Sequence, residues 1–423
     1  MKTKTKLLSL FLALTLLLSL PVLTSCDLSG NKTAELEETL KSYVDEKVNA
    51  SSDVNNYDIH ITSDSTVSLL AASKGLLSTV SVYCNFVIKR SYGWGPNAST
   101  YEQQTQSAGS GVIYRLDKKN GNAYIITNYH VVYNSQASTK NRISDEINLY
   151  LYGKESSAYA IPATYVGGSM LYDIAVLKVE NSDVLRASNA RAADFEDSNE
   201  VSVLDTAIVI GNPEAKGISA TVGHVNVQSE YIQMTAADDT TPIEMRVMRI
   251  DSAVNSGNSG GGLFNDKGEL IGIVNAKMSS SSIDNIGYAI PSNIAKYVAD
   301  NILYYCDGKE NESVYRCLLG ITVAAASSDT VYDTETGKVH IVESVAVKEV
   351  GSTSPALNVL KEGDVIRSIT IGEKTYEVTR IFHIVDIMLN ARVGDTVTIA
   401  VVRDGTEQSV SLTIKESSLT KCS

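Results

Sequence analysis

The sequence predicts a mainly β protein whose central region is an antiparallel barrel or sandwich. Two observations carry that prediction. Strand signals recur at short intervals: 111–114 turns over Asp117-Lys118-Lys119-Asn120-Gly121 into 123–127, and others follow at 147–152, 174–179, 207–210, 220–223 and 270–274. Gly, Asn and Asp turns separate them, with few helical patterns in between. Ahead of this region, 67–72 has helix character stopping near Gly75, and 80–86 alternates as a strand does.

With 423 residues the chain has room for two or three domains and large cores. Its net charge of −13 disfavours nucleic acid or anionic lipid as the main partner, because both reward basic patches. Polypeptide substrates are compatible with it. At the N-terminus, Lys2, Lys4 and Lys6 precede an apolar run over 7–20, followed by Leu23-Thr24-Ser25-Cys26. This is the pattern of a secretory signal, and the run is shorter than the roughly 20 apolar residues of a bilayer span. Its ending resembles the lipobox of bacterial lipoproteins. That implies a signal peptide over 1–25, a lipidated Cys26, and an extracytoplasmic protein anchored to the cell membrane by its acyl chains. Residues 26–66 read as a polar stalk with one short amphipathic helix.

Cys84, Cys306, Cys317 and Cys422 have no close-spaced framework, so a Cys306–Cys317 bridge and buried free thiols both stay open. The five histidines are scattered and no Cys/His spacing suggests a metal site.

Three points in the β-rich region carry chemistry. His130 stands just past a strand end, Asp173 opens the apolar strand 174–179, and Ser259 lies in a glycine cluster over 255–263. Glycine lets the backbone turn tightly there, exposing a hydroxyl beside N–H groups that can hold an oxyanion. Each point alone has a plainer reading: an edge residue, a strand-start turn, a flexible linker. Their order, His then Asp then Ser, is that of the chymotrypsin-type triad.

The local text resembles the HtrA/DegP family. The matching blocks are Thr127-Asn128-Tyr129-His130-Val131, Asp173-Ile174-Ala175-Val176-Leu177-Lys178 and Gly257-Asn258-Ser259-Gly260-Gly261-Gly262-Leu263. Gly109-Ser110-Gly111-Val112-Ile113, Ile210-Gly211-Asn212-Pro213 and Gly287-Tyr288-Ala289-Ile290-Pro291 match as well. The resemblance implies a chymotrypsin-like double β-barrel over 67–305 with His130, Asp173 and Ser259 in the cleft. It also implies an oxyanion hole from the N–H groups of Gly257 and Ser259, no cofactor, and homotrimers that clear misfolded or exposed polypeptides. Ala253 and Val254, with Ala276 and Met278 opposite, are expected to line an apolar pocket for small or medium aliphatic side chains. The text Gly257-Asn258-Ser259-Gly260-Gly261 also fits a hydrolase nucleophile elbow, but the residues after Leu263 read as a β-hairpin and no histidine follows in the same region.

The chain departs from the family at Ser256 and Gly262, where proline is usual, and both changes are expected to loosen the serine loop. His224 stands where an aliphatic residue is usual. Residues 231–248 read as a polar, threonine-rich insertion where the family keeps a regulatory loop.

After a helix pattern at 293–300 and a polar linker at 307–312, residues 306–423 resemble a small α/β PDZ domain. Leu318-Leu319-Gly320-Ile321 stands at the carboxylate-binding loop, Ser354-Pro355-Ala356-Leu357 at an internal helix, and 397–405 at the last hairpin. The N–H groups of Leu319, Gly320 and Ile321 are then expected to bind peptide C-termini. The competing reading is a non-enzymatic peptide-binding or chaperone scaffold with a vestigial triad.

Overall fold

The structure, a computed structural model, describes residues 64–92, 99–278, 286–308 and 314–422. The signal peptide, Cys26 and most of the stalk lie outside the described residues, as does the side chain of Met278.

Helix α1 (Asp64–Ser78) leads in and runs past Gly75, where a stop is expected from sequence. Gly75 is buried because its bare Cα packs against Ile210 and the Phe264 ring, so glycine serves close contact there rather than termination. β1 (Thr79–Tyr92) and β2 (Ser99–Asp117) form a long hairpin, followed by β3 (Asn122–Thr127) and the one-turn helix α2 (Tyr129–Val132). β4 (Glu146–Leu151), β5 (Ile161–Ser169) and β6 (Ile174–Val179) close a barrel in the order β1-β2-β3-β6-β5-β4. Alternation fixes its interior: Val80, Val82, Cys84 and Phe86 point inward from β1 and meet Ile125, Leu149 and Leu177.

Past the short helix α3 (Asp183–Arg186), a second closed barrel forms in the order β7-β8-β9-β12-β11-β10. Its strands are β7 (Thr206–Gly211), β8 (Ser219–Thr235), β9 (Pro242–Ile250), β10 (Gly262–Phe264), β11 (Leu270–Val274) and β12 (Gly287–Pro291). The expected insertion at 231–248 is not a loop. It is the outer part of the β8–β9 hairpin, with Glu230 paired to Val247 and Thr235 to Pro242. Its polar residues occupy exposed faces of paired strands, which hid the strand period from a reading of composition. β10 and β11 form the hairpin expected after Leu263.

Helix α4 (Ser292–Tyr305) buries Ile294, Val298 and Ile302 in a core shared with both barrels. A small sheet of β13 (Tyr315–Cys317) and β20 (Leu419–Lys421) precedes a six-stranded one. The latter contains β14 (Ile321–Tyr332), β15 (Val339–Val350), β16 (Val365–Ile371), β17 (Lys374–Glu377), β18 (Thr396–Arg403) and β19 (Thr406–Thr413), with α5 (His383–Ile387) against it. Residues 354–360 make consecutive turns instead of the expected helix. The positive φ of Asn358 takes the chain out of the right-handed helical region there. No disulfide joins the four described cysteines, all of which are buried, so a Cys306–Cys317 bridge is absent. Among the described residues, no helix is long and apolar enough to cross a membrane.

Candidate active site

Hydrogen bonds bring His130, Asp173 and Ser259 into one region through Asn275 and Ala276. His130 rides on α2, immediately after β3, and Asp173 sits in the turn between β5 and β6. Asp173 adopts φ +48°, a left-handed conformation that Asp tolerates better than most residues. Its backbone carbonyl accepts from Asn128 Nδ2 at 2.9 Å and from Tyr129 N at 3.2 Å. Its carboxylate accepts from His130 N at 2.9 Å through Oδ1 and lies 2.7 Å from His130 Nδ1 through Oδ2. A carboxylate only accepts, so the neutral ring carries its proton on Nδ1 and leaves Nε2 basic.

Asn275, which the sequence reading did not single out, donates from Nδ2 to the same Oδ2 at 2.7 Å and is fully buried. The next residue, Ala276, donates its N–H to Ser259 Oγ at 3.1 Å. One strand end therefore touches both ends of the constellation. No hydrogen bond joins His130 to Ser259 in this structure; the hydroxyl accepts from Ala276 instead.

The serine loop is held by its backbone. Ser110 of β2 donates N–H to the Ser259 carbonyl at 2.8 Å and Oγ to the Gly257 carbonyl at 2.7 Å, while Oγ accepts from Asn212 N. Glu214 N donates to the Ser256 carbonyl at 2.7 Å, and Gly260 N to the Val274 carbonyl at 2.9 Å. Gly257 has φ +95°, and a Cβ there would strike the Asn212 carbonyl oxygen. Gly262 sits in β10 with the Phe264 ring in the space a side chain would take. The N–H groups of Gly257 and Ser259 donate to no protein acceptor among the described residues.

Of the expected pocket residues, Ala253, Val254 and Ala276 are described with their side chains. Ala276 adjoins Ser259 and Ala253 is exposed, but Val254 packs partly into the second-barrel core against Gly287. His224 is an exposed strand residue on β8 whose N–H donates to Asp251. In the C-terminal sheet, Gly320 has φ +66° with its Cα against Ser354, and Ser354 Oγ donates to the Leu319 carbonyl at 2.6 Å. That loop opens β14, an edge strand of the kind a peptide can extend. Among the described residues no cluster of His, Cys, Asp and Glu could hold a metal.

Comparison with known proteins matches a trypsin-like peptidase domain to residues 109–273 and a PDZ domain to 317–414. The chain is 32% identical over 325 residues to the serine protease Do-like HtrA of Bacillus subtilis (strain 168), covering 75% of this chain and 65% of that protein. It is 30% identical over 333 residues to the serine protease Do-like HtrA of Lactococcus lactis subsp. lactis (strain IL1403), covering 76% of this chain and 74% of that one. A solved HtrA-type protease, AlgW with a tripeptide, is alike in fold at a TM-score of 0.50 and 24% identity, covering 83% of this chain and 97% of that one.

Proposed function

This chain belongs to the HtrA family of serine proteases, and from that premise we propose that it is a serine endopeptidase cutting misfolded or exposed segments of polypeptide. The observation that carries this reading is the Asp173–His130 pair, fixed in the tautomer a general base needs, beside Ser259 in a loop with two uncommitted N–H groups. Ser259 Oγ leaves the Ala276 N–H, gives its proton to His130 Nε2 and attacks the scissile carbonyl carbon. Gly257 and Ser259 N–H donate to the resulting oxyanion, a term worth roughly 2.7–4 kcal/mol per donor. His130 returns the proton to the leaving amine nitrogen, and a water molecule then repeats the sequence on the acyl-enzyme. Asp173 stays ionised and stabilises the imidazolium throughout. The mechanism requires no metal or organic cofactor.

Casein digestion by the wild type and by Ser259→Ala tests this: the wild type cuts and the variant does not. Equal cleavage, or none by either, removes the assignment. One observation favours a second reading, a peptide-binding scaffold without activity: the Ser259 hydroxyl is held by Ala276 and not by His130. Hydrogen bonds of this kind often form only once substrate binds, so the resting geometry is compatible with catalysis.

Three finer assignments belong to the same proposal. An apolar wall of Ala253, Val254, Ala276 and Met278 favours small or medium aliphatic side chains before the cut; a peptide series cut best after Arg contradicts it. The loop Leu319-Gly320-Ile321 with edge strand β14 takes peptide C-termini, supported by the positive φ at Gly320. The signal pattern and Cys26 support an extracytoplasmic protein on a lipid anchor, and family membership favours a homotrimer. Metabolic labelling with a palmitate analogue, lost in Cys26→Ser, checks the anchor, and sedimentation checks the trimer.

A further inference from the structure

Segments far apart in the chain close around a cavity of about 320 Å³: the turn before Asp173, the β8–β9 hairpin, β13 and α5. Ligand pockets begin near that size, about 300 Å³. Its wall is largely apolar, formed by Leu171, Ile243, Met245 and Val385 among others, and two arginines, Arg246 and Arg316, also line it. Arg316 donates to the Tyr172 hydroxyl at 2.7 Å. Arg246 pairs with Asp386, donates to Ser229 Oγ at 3.3 Å, and is only 5% exposed.

Each guanidinium still keeps a buried Nε–H with no hydrogen-bond partner among the described residues. An unmet buried donor costs about 1–3 kcal/mol, and more when charged, so two on one cavity call for a cause. The Nε–H edge of a guanidinium is also one that takes a carboxylate in paired bonds. Two carboxylates already border the cavity. Asp386 is engaged by Arg246, and Glu244 is exposed to solvent. Two cations against one buried carboxylate leave the interior positive.

We propose that this cavity binds a small aliphatic carboxylate, its head between Arg246 and Arg316 and its chain along the apolar wall. The site is separate from Ser259 and from the Leu319-Gly320-Ile321 loop. Its occupant borders Tyr172, next to Asp173, which makes it a place from which a metabolite could act on the catalytic turn.

Binding is read in the full chain carrying Ser259→Ala, so the outcome does not depend on peptidase activity. Calorimetric titration with sodium hexanoate is expected to saturate at one site, with hexanamide at least about tenfold weaker because it lacks the charge that the guanidinium edges recognise. Equal binding of acid and amide, or no saturable binding, overturns the proposal and leaves water as the partner of the two Nε–H groups. Arg316→Met is expected to weaken hexanoate by a similar factor; unchanged affinity places the ligand elsewhere, for example at the C-terminal carboxylate loop, and also overturns it. If Arg316→Met does not fold, Leu171→Trp narrows the cavity from an exposed position without altering charge. It is expected to abolish binding, and undiminished binding contradicts the assignment.

Discussion

The two barrels share one strand order but hold their parts of the candidate active site by different means. The first barrel fixes His130 and Asp173 through side-chain hydrogen bonds, with Asn275 reaching in from the second. The second presents Ser259 on a loop set by backbone bonds and positive-φ glycines, with Ser110 of the first barrel as its clamp. The first half can therefore lose its chemistry and keep its shape, whereas the second cannot replace its loop glycines without moving the backbone.

The largest effect expected from this contrast is in the first half. Asp173→Asn is expected to keep the fold and lower kcat/KM by about 10,000-fold, because the amide favours the wrong imidazole tautomer. A melting temperature that fell together with activity would blur the distinction between the halves. In the second half, Gly257→Ala forces a Cβ toward the Asn212 carbonyl at φ +95°. Strain of about 1–3 kcal/mol and a displaced oxyanion donor are expected, seen as a lower unfolding midpoint and at least about a 100-fold loss of kcat. A variant with normal stability and normal rate would show that the loop is not set by its glycines.

Asn275→Ala removes one donor from the Asp173 carboxylate and is expected to cost about 1–3 kcal/mol, or roughly 5–150-fold in kcat/KM. The pH–rate profile separates its role from simple packing: its acid limb shifts if Asn275 orients the Asp173–His130 pair, and stays fixed if it does not.

How far the sequence disclosed this site follows from where its information lies. His130, Asp173 and Ser259 sit in short blocks whose chain order alone names the chemistry. Asn275 and Ser110 act through side-chain hydrogen bonds to segments over a hundred residues away, so the block around Ser110 does not disclose its role and no local pattern marks Asn275. The same limit explains the fold. Gly75 reads as a helix stop until Ile210 and Phe264 are seen packed on it, and 231–248 reads as a loop until the two edges pair. At the two departures from the family, the Ser256 carbonyl accepts from Glu214 N and Gly262 makes room for Phe264, neither of which the sequence discloses.

The last expected effect bears on stability and leaves the triad untouched. Burial, with Arg246 and Arg380 nearby, pushes His383 down to about 4. The folded state thus keeps this ring neutral where an unfolded chain, titrating near 6.5, would bind a proton. The stability it secures is complete above pH 6.5 and is lost as pH falls toward 4, by roughly 3 kcal/mol in all. His383→Gln should flatten the fall in unfolding free energy between pH 6.5 and 4 relative to wild type; parallel curves would assign the acid sensitivity to other groups.

The most direct test of the central claim is covalent. A fluorophosphonate reacts with a serine only when a base removes its proton and an oxyanion hole receives the phosphoryl oxygen. Peptide mapping of the labelled chain is expected to place one adduct on Ser259, with labelling at least about a thousandfold slower in His130→Ala, as expected when the general base is lost. An adduct elsewhere, no adduct, or equal rates in the two proteins would contradict a His130–Asp173–Ser259 catalytic unit.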